Sequence, residues 1–400
     1  MSGNHPKPNS IGLALSGGGV RAAAFHAGVL LYLAEQQLLE DVVHVSSVSG
    51  GSLFTGMVFR LADYRWPSSS GYVREVFPQF RKTLTTQSLQ FSALVRLLGN
   101  PLNWRFLLSR ANVLAQAIEA LWDVRKPLSA VAPSPVWSIN CTTGETGRRF
   151  RFKGVTMGDY ELGYARVDGF SLARAMAISA ALPGGIGPLA VKSDQFEWKK
   201  RMQWGASEPA SSQLPYDRLH LYDGGLYDNL GLEPMFDVGR QKLKGDESLR
   251  SDVSYLLVSD GGAPLARQAI PHQLNPFRFK RIADIALDQS RALRVRAFVN
   301  FLQRNPSAGA YVCIGAEAET SIIRLAKGHE TVATELLSRS WLSATQAKDA
   351  ATYSTTLRRM EESSFDLLAR HGYETAKWNV ELMSSTHDVS RADQPIKIEQ

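Results

Sequence analysis

Cysteine is nearly missing from this chain: Cys141 and Cys313 are the only two in 400 residues. Two thiols cannot build a disulfide framework, and they do not sit at metal-ligand spacing. Reduced thiols in a cytoplasmic protein are the expectation. Long hydrophobic runs are missing too. The longest near the start, Ala27 to Ala34, falls well short of the roughly 18 apolar residues that span a bilayer. Met1 to Ser10 is polar and lacks the basic start and apolar stretch of a signal peptide. The expectation is therefore a protein that stays on one side of a membrane, cytoplasmic or peripheral at its inner surface. There is no internal repeat and no His-Glu-x-x-His. No Lys followed by Ser or Thr closes a glycine-rich turn. A metalloprotease site and a phosphate loop are thus without support, and no metal or cofactor is expected. What is present is ordinary for a globular protein: 44% hydrophobic and 21% charged residues, which excludes disorder for most of the chain. Lys plus Arg at 45 against Asp plus Glu at 38 gives +7. That mild excess suits an anionic membrane surface or a nucleic acid without choosing between them.

The order of local patterns points to a parallel sheet covered by helices. Ile11 to Leu15 is a short apolar run ending in Ser16-Gly17-Gly18-Gly19, a strand entering a glycine turn. Val20 to Gln37 follows with helical spacing, with Phe25, Val29, Leu30 and Leu33 among its apolar positions. Asp41 to Ser47 is valine-rich and predicts a second strand, and Gly50 to Tyr64 a second helix. Trp66 to Lys126 breaks the alternation: it is mostly helical, interrupted at Gly99-Asn100-Pro101. Pro135 to Cys141 and Arg148 to Phe152 resume strand character. Leu172 to Ala181 is a helix stopped by Pro183-Gly184-Gly185. Leu219 to Tyr222, Ser254 to Val258 and Ala310 to Ile314 are short strands. Pro276 to Arg304 is a long basic helix, and Glu330 to Gly372 is mostly helical. The length allows two or three units, yet no linker separates independent halves. One α/β domain over 11–380 is expected, with a helical insertion at about 66–126 and flexible termini at 1–10 and 384–400.

Three short motifs could carry chemistry. Ser47-Val48-Ser49-Gly50-Gly51 sits where a strand turns sharply into a helix. A nucleophile elbow needs small residues two before and two after its serine, because bulky side chains would clash in the strained turn. Ser47 and Gly51 meet that need, but an ordinary N-cap serine fits the same five residues. Gly17-Gly18-Gly19-Val20-Arg21 brings backbone N–H groups together between a strand and a helix. An oxyanion hole needs only two or three such donors aimed at one point. A dinucleotide fingerprint would need glycine where Ala22 stands, and a tight junction needs no ligand at all. Asp223-Gly224-Gly225 follows a short strand. Such an aspartate can project into a cleft at the edge of a sheet, or merely close an Asx turn. A second Asp-Gly-Gly, Asp260-Gly261-Gly262, also follows a strand.

In this order, the glycine turn, the elbow serine and the late Asp-Gly-Gly resemble the patatin-like phospholipase family, in its bacterial standalone form. Ala177-Ile178-Ser179-Ala180-Ala181-Leu182-Pro183 is similar to the family's Ala-Ser-x-Ala-x-Pro segment. Ser138 to Gly144 is similar to its Asn-Ala-Thr strand and turn, and Asp223 to Leu230 to its aspartate block. The resemblance covers about residues 11 to 60 and 135 to 262. It implies a three-layer α/β/α fold with a mostly parallel central sheet, and phospholipase A-type ester hydrolysis. It also implies a Ser–Asp dyad, with Ser49 as nucleophile and Asp223 as base. The amides of Gly17, Gly18 and Gly19 would form the oxyanion hole, supported by Arg21 as a brace and by Gly51, Gly224 and Gly225. Asp223 is preferred to Asp260 because Tyr227-Asp228-Asn229-Leu230 trails it, whereas Ala263-Pro264 follows Asp260. Asp228 and Asn229 are assigned to the turn. Ser47 and Ala22 stand where the family usually has glycine, which bears on positioning but removes no catalytic group.

His26 is expected as a packed side chain and His44 as buried and neutral; a hidden histidine base is the competing chemistry. Phe91 to Arg110 mixes apolar residues with Arg96, Arg105 and Arg110. It fits a lipid interface or an ordinary helical hairpin packed on the domain. Phe277 to Arg304 carries seven Lys or Arg against Asp284 and Asp288. A solvated face is preferred there to anionic lipid or nucleic acid, since no nucleic-acid module signature is present. Trp198 and Trp204 are expected in a flap near the site. The expected function is hydrolysis of a phospholipid or other lipid ester. The alternative is a catalytically weak lipid-binding or signalling protein on the same fold.

Overall fold

The computed structural model describes residues 10–200, 210–244, 253–270, 272, 275, 277–326 and 330–384. Its first three elements set the pattern. Strand β1 (Ile11–Leu15) is buried throughout, helix α1 (Gly19–Glu35) returns across the sheet, and β2 (Val42–Val48) pairs beside β1 in parallel. Helix α2 (Gly50–Leu61) follows β2 with one intervening residue, Ser49. The chain then runs through α3 (Ser69–Gly71), α4 (Phe77–Thr86), α5 (Leu89–Gly99), a 3-10 segment (Pro101–Phe106) and α6 (Ala111–Leu121). It re-enters the sheet as β3 (Val136–Thr143), parallel to β2.

Beyond β3 the pairing changes sense. Strands β4 (Arg149–Lys153), β5 (Thr156–Asp159), β6 (Gly163–Arg166), β8 (Trp198–Lys200) and β9 (Ala210–Ser212) extend the sheet antiparallel. Helix α7 (Leu172–Ser179) and β7 (Leu189–Lys192) precede β8, and β7 pairs with β10 (Arg218–Asp223). A four-residue helix, α8 (Gly225–Asp228), follows β10. A small ribbon follows, of β11 (Phe236–Asp237) and β12 (Lys242–Leu243). Strand β13 (Tyr255–Asp260) then lies parallel on the free side of β1. Helix α9 (Phe277–Arg304) leads to β14 (Gly309–Cys313), parallel to β13. Helices α10 (Ala318–Leu325), α11 (Glu330–Leu337), α12 (Ala344–Thr352) and α13 (Glu362–Ser384) complete the chain. Strands β14-β13-β1-β2-β3 are thus all parallel, whereas β10, which ends in Asp223, is antiparallel to β3.

The three layers follow from the two-residue period of a strand. Leu13, Leu15 and Leu257 face one apolar cluster with Phe25, Phe54 and Phe365 from the helices on that side. Ala14, Leu256 and Val258, their neighbours in sequence, face the other way onto Phe298 and Phe301 of α9 and onto Phe236. Helix α13 crosses α1 so closely that Gly28 lies against the Ala369 backbone and Gly372 against the Phe25 carbonyl. Side chains at either glycine would have no room.

One register places the site. Val48, the last residue of β2, is level with Asn140 of β3; β10 continues along β3 with Asp223 opposite Cys141. Because β4 occupies the other edge of β3, β2 and β10 share one edge end to end. Their carboxyl ends meet head-on, which brings Ser49 to Asp223.

Several expectations need correction. Strands β5 to β9 carry no clear alternating pattern; they are three or four residues long, and Gly158 and Gly163 punctuate them in positive-φ conformations. Trp198 is no flap: it is buried in β8, and its Nε1–H donates to the Ser193 carbonyl at 3.0 Å. Trp204 lies outside the described residues, as do residues 1–9 and 385–400. Ser10 is tied to the fold, accepting from the Tyr255 N–H at 3.1 Å, and Ser384 is the last residue of α13. The basic helix α9 is not simply solvated, because Arg291 and Arg294 turn inward onto Asp260 and Asp228.

Candidate active site

Ser49 occupies the sharp turn between β2 and α2 with φ 50° and ψ −116°. A non-glycine residue held there stores strain, which the surrounding packing must impose. Small neighbours make the turn fit: Gly50 touches the Gly19 carbonyl and Gly51 the Leu15 carbonyl, and the Gly51 N–H donates to the Ser16 carbonyl at 3.2 Å. The Ser49 N–H donates to Ser179 Oγ at 3.1 Å.

That last bond opens a buried chain of hydroxyls whose proton order is fixed by valence. Ser179 Oγ lies 2.7 Å from the Asn140 carbonyl, which can only accept, so the single Ser179 proton goes there. Ser52, 2.8 Å from Ser179, must then donate to it, and Ser47, 2.8 Å from Ser52, must donate in turn. Ser47 Oγ accepts from the Trp137 indole N–H at 2.8 Å. The serine at position 47 is therefore not a neutral stand-in for glycine; it joins the elbow to β3 through Trp137. None of these roles was readable beforehand. The one available signal was the placement of Ser179 within Ala-Ile-Ser-Ala-Ala-Leu-Pro.

Asp223 ends β10, buried. Its Oδ1 accepts from the Gly225 N–H at 2.7 Å. Gly224 packs on the Asn140 carbonyl. Burial pushes the Asp223 carboxyl up from 3.8 to about 7, against the Gly225 N–H and the nearby Ser49 side chain, which act to lower it.

The glycine turn runs along the same cavity. Gly18 and Gly19 have φ 146° and 63°, conformations that suit glycine. Among the described residues their N–H groups have no acceptor. Gly17 differs from the expectation: its N–H donates to the Asn229 carbonyl at 3.0 Å, so it is not free to meet an oxyanion. Arg21 is buried behind the turn, with Nε on the Gly261 carbonyl at 3.0 Å and Nη1 on Tyr353 and Thr355 at 2.7 and 2.8 Å. Burial lowers its pKa to about 10, so it is a charged strut at neutral pH. The Val20 N–H donates to the Thr356 carbonyl at 3.0 Å.

The rival groups are occupied elsewhere. Asp260 accepts from Arg291 at 2.6 and 2.9 Å, from the Tyr311 hydroxyl at 2.6 Å and from the Gly262 N–H at 3.0 Å. Asp228 accepts from the Leu230 and Glu233 N–H groups at 3.1 and 2.9 Å, closing the turn. His26 is fully buried between Ser259 Oγ and the Ser16 carbonyl, and burial drops its pKa to about 4. His44 is buried with Nε2 3.0 Å from Ser138 Oγ. Among the described residues, no histidine lines the cavity that holds Ser49 and Asp223.

That cavity has a volume of about 720 Å³. Ala93, Leu97, Val113 and Leu114 give it an apolar lining from α5 and α6, whereas Arg281, Asp284, Asp288 and Arg291 give it a charged lining from α9.

Comparisons with known proteins bear on the fold and the family. The family model for patatin-like phospholipase matches residues 13–236, more than half of the chain. The structure of human GIVD cytosolic phospholipase A2 is similar with a TM-score of 0.53 and 15% identity over 96% of this chain. The same enzyme in complex with methyl gamma-linolenyl fluorophosphonate gives 0.51 and 15% over 97%. At such identity the likeness is one of fold, and this chain spans only 63% and 60% of those two chains. No curated protein matches. The three-layer fold and the long family match together settle the assignment: the chain belongs to the patatin-like phospholipase family, a family of lipid acyl hydrolases.

Proposed function

We propose that the chain is a serine-dependent lipid acyl hydrolase of phospholipase A type, working through a Ser49–Asp223 dyad without metal or cofactor. One observation carries this reading: two strand ends meet head-on so that a serine on a strained elbow stands beside a buried carboxyl, which burial raises to about 7. A carboxylate is normally too weak a base for an alcohol. Raised toward neutrality, it approaches the strength that general-base catalysis requires. Ser49 Oγ attacks the ester carbonyl carbon while its proton passes to Asp223. The N–H groups of Gly18 and Gly19 hold the oxyanion; one such donor is typically worth about 10² to 10³ in rate. Collapse of the tetrahedral adduct breaks the ester C–O bond, and the leaving alcohol takes the proton from Asp223. Water then attacks the acyl-serine, delivering its proton through Asp223 back to Ser49 as the fatty acid leaves.

The two walls of the cavity support a lipid ester as substrate. The apolar wall fits an acyl chain, and the charged wall of α9 fits a polar head group. The complex of human GIVD cytosolic phospholipase A2 with a linolenyl fluorophosphonate is in keeping with that substrate class. No helix among the described residues is long and apolar enough to cross a membrane, so we take the protein to meet its lipid peripherally, from one side.

The test is fatty-acid release from mixed phospholipid vesicles, read by mass spectrometry, with fluorophosphonate labelling in parallel. Ser49→Ala and Asp223→Asn should each lose at least about 10³-fold in rate, and Ser49→Ala should lose the label. Equal release by all three proteins would rule out the dyad. A folded wild type that neither releases acid nor takes the label would favour the lipid-binding alternative.

A further inference from the structure

Helix α5 is apolar on both faces. Gln90, Ala93 and Leu97 line the cavity, while Phe91, Val95 and Leu98 on the opposite side are each more than half exposed. A helix with apolar residues all round is normally covered all round, and among the described residues nothing covers the outer face. The exposed row continues past the helix through Leu102, Trp104 and Leu108, the last 85% exposed. Clusters of this kind mark contact surfaces, whereas single exposed leucines do not.

The outward direction is built in. Asn103, between Leu102 and Trp104, is buried; its side-chain amide donates to the Arg96 carbonyl at 3.0 Å and exchanges bonds with Gln116 at 3.0 and 3.1 Å. With Asn103 pinned inside, its two neighbours are held on the outside. The amino end of α5 is also tied, since the Gln90 N–H donates to the Leu357 carbonyl at 3.0 Å.

Charge selects the partner. From Val76 to Ile118 the chain has no Asp or Glu at all, while Arg96, Arg105 and Arg110 lie among the exposed apolar residues. Apolar side chains interleaved with arginine and free of acid match a bilayer with anionic head groups. A protein interface can also place arginine beside aromatic residues, so what discriminates here is the complete lack of carboxylates over this stretch, which leaves its arginines to an anion outside it. The patch is also continuous with the cavity, because Leu94, half exposed, and Arg110 belong to both the outer surface and the lining.

We infer that α5 and the following segment to Leu108 form the face by which the protein lies on an anionic lipid bilayer, with the cavity mouth opening onto the acyl chains. Delivery of substrate by this face rests on the hydrolase reading above; docking itself does not.

The experiment therefore separates the two. Ser49→Ala protein is floated with vesicles of phosphatidylcholine containing phosphatidylglycerol, beside the same protein carrying Leu98→Ser, Leu102→Ser and Leu108→Ser. The three leucines are exposed and outside the cavity lining, so the melting temperature should not change. Partition onto vesicles should fall at least tenfold. With Ser49 intact, the triple variant should hydrolyse a short soluble ester at the parent rate while losing bilayer hydrolysis by a similar factor. Docking without any ester turnover would leave the inference standing and remove the hydrolase reading. Equal vesicle partition by the triple variant and its parent would overturn the inference. So would a parent that ignores vesicles and forms a dimer that the triple variant dissolves.

Discussion

Asp223 and Asp260 begin the same tripeptide and close the same local turn. Each is buried at the end of a strand, and each accepts from the N–H two residues on, at 2.7 Å from Gly225 and 3.0 Å from Gly262. What differs comes from far along the chain. Asp260 receives Arg291 from α9 and Tyr311 from β14, so one oxygen carries three donors and the other is held by its own turn. Asp223 has the Ser49 side chain beside it and no cation among the groups that shift its pKa. The tripeptide makes the turn; the partner decides whether the carboxylate is locked as a strut or left available as the proposed base.

Exchanging the two losses is the strongest way to break that contrast. Asp223→Asn should abolish turnover by about 10³-fold or more while the protein stays folded. Asp260→Asn should do the reverse. It strands the buried Arg291, a change that typically costs about 3 to 5 kcal/mol, yet the folded fraction should still take a fluorophosphonate on Ser49. Denaturant melts with labelling read both outcomes. Loss of labelling in folded Asp260→Asn would mean that the two carboxylates share the chemistry.

The pH profile sharpens the same comparison. Asp223 must be ionised to act, so kcat/KM should rise about tenfold per unit from acid pH and level off near 7. Stability should move the opposite way. Below 3.8 both folded and unfolded chains hold the proton. Between 3.8 and about 7 only the folded chain does, so burying this group becomes more costly as pH rises and the cost is complete above 7. Asp223→Asn should therefore gain stability over the wild type at pH 8, by up to about 4 kcal/mol for a three-unit shift, and gain little at pH 3. A flat difference in melting across that range would contradict the raised pKa.

Smaller effects are expected beneath the elbow. Ser179→Ala removes the acceptor of the Ser49 N–H and should lower kcat about tenfold, equivalent to about 1.4 kcal/mol, with KM unchanged. A larger change in KM than in kcat would place Ser179 in substrate binding instead. Ser47→Gly leaves the Trp137 indole without its partner and should cost about 1 to 2 kcal/mol of stability, with labelling of Ser49 retained.

Much of this was legible in local sequence. The strand, glycine turn, helix and strand of residues 11 to 48 announce themselves by apolar runs and small residues, and Ser49 and Asp223 stand at strand ends that such runs define. The fold around them was less so. Ser179 acts on a serine 130 positions away, through a hydrogen bond that no spacing rule encodes. Arg291 reads as surface charge until β13 brings Asp260 beneath it. Gly17, one of three consecutive glycines, is distinguished from the next two only by the Asn229 carbonyl opposite it. The outer face of α5 could be read two ways, because an apolar residue on a helix does not say which side is covered.

The crossing of α1 and α13 has a consequence in time. Helix α1 starts at the glycine turn, and that turn leans on Thr356 and, through Arg21, on Tyr353 and Thr355. The glycine contacts at Gly28 and Gly372 then press α13 onto the same helix. The segment that braces the glycine turn lies far C-terminal to it, so a chain emerging from the ribosome would expose Ser49 well before the turn is held in place. On the proposed mechanism, that serine could do no chemistry until Tyr353 to Thr356 had docked behind the turn.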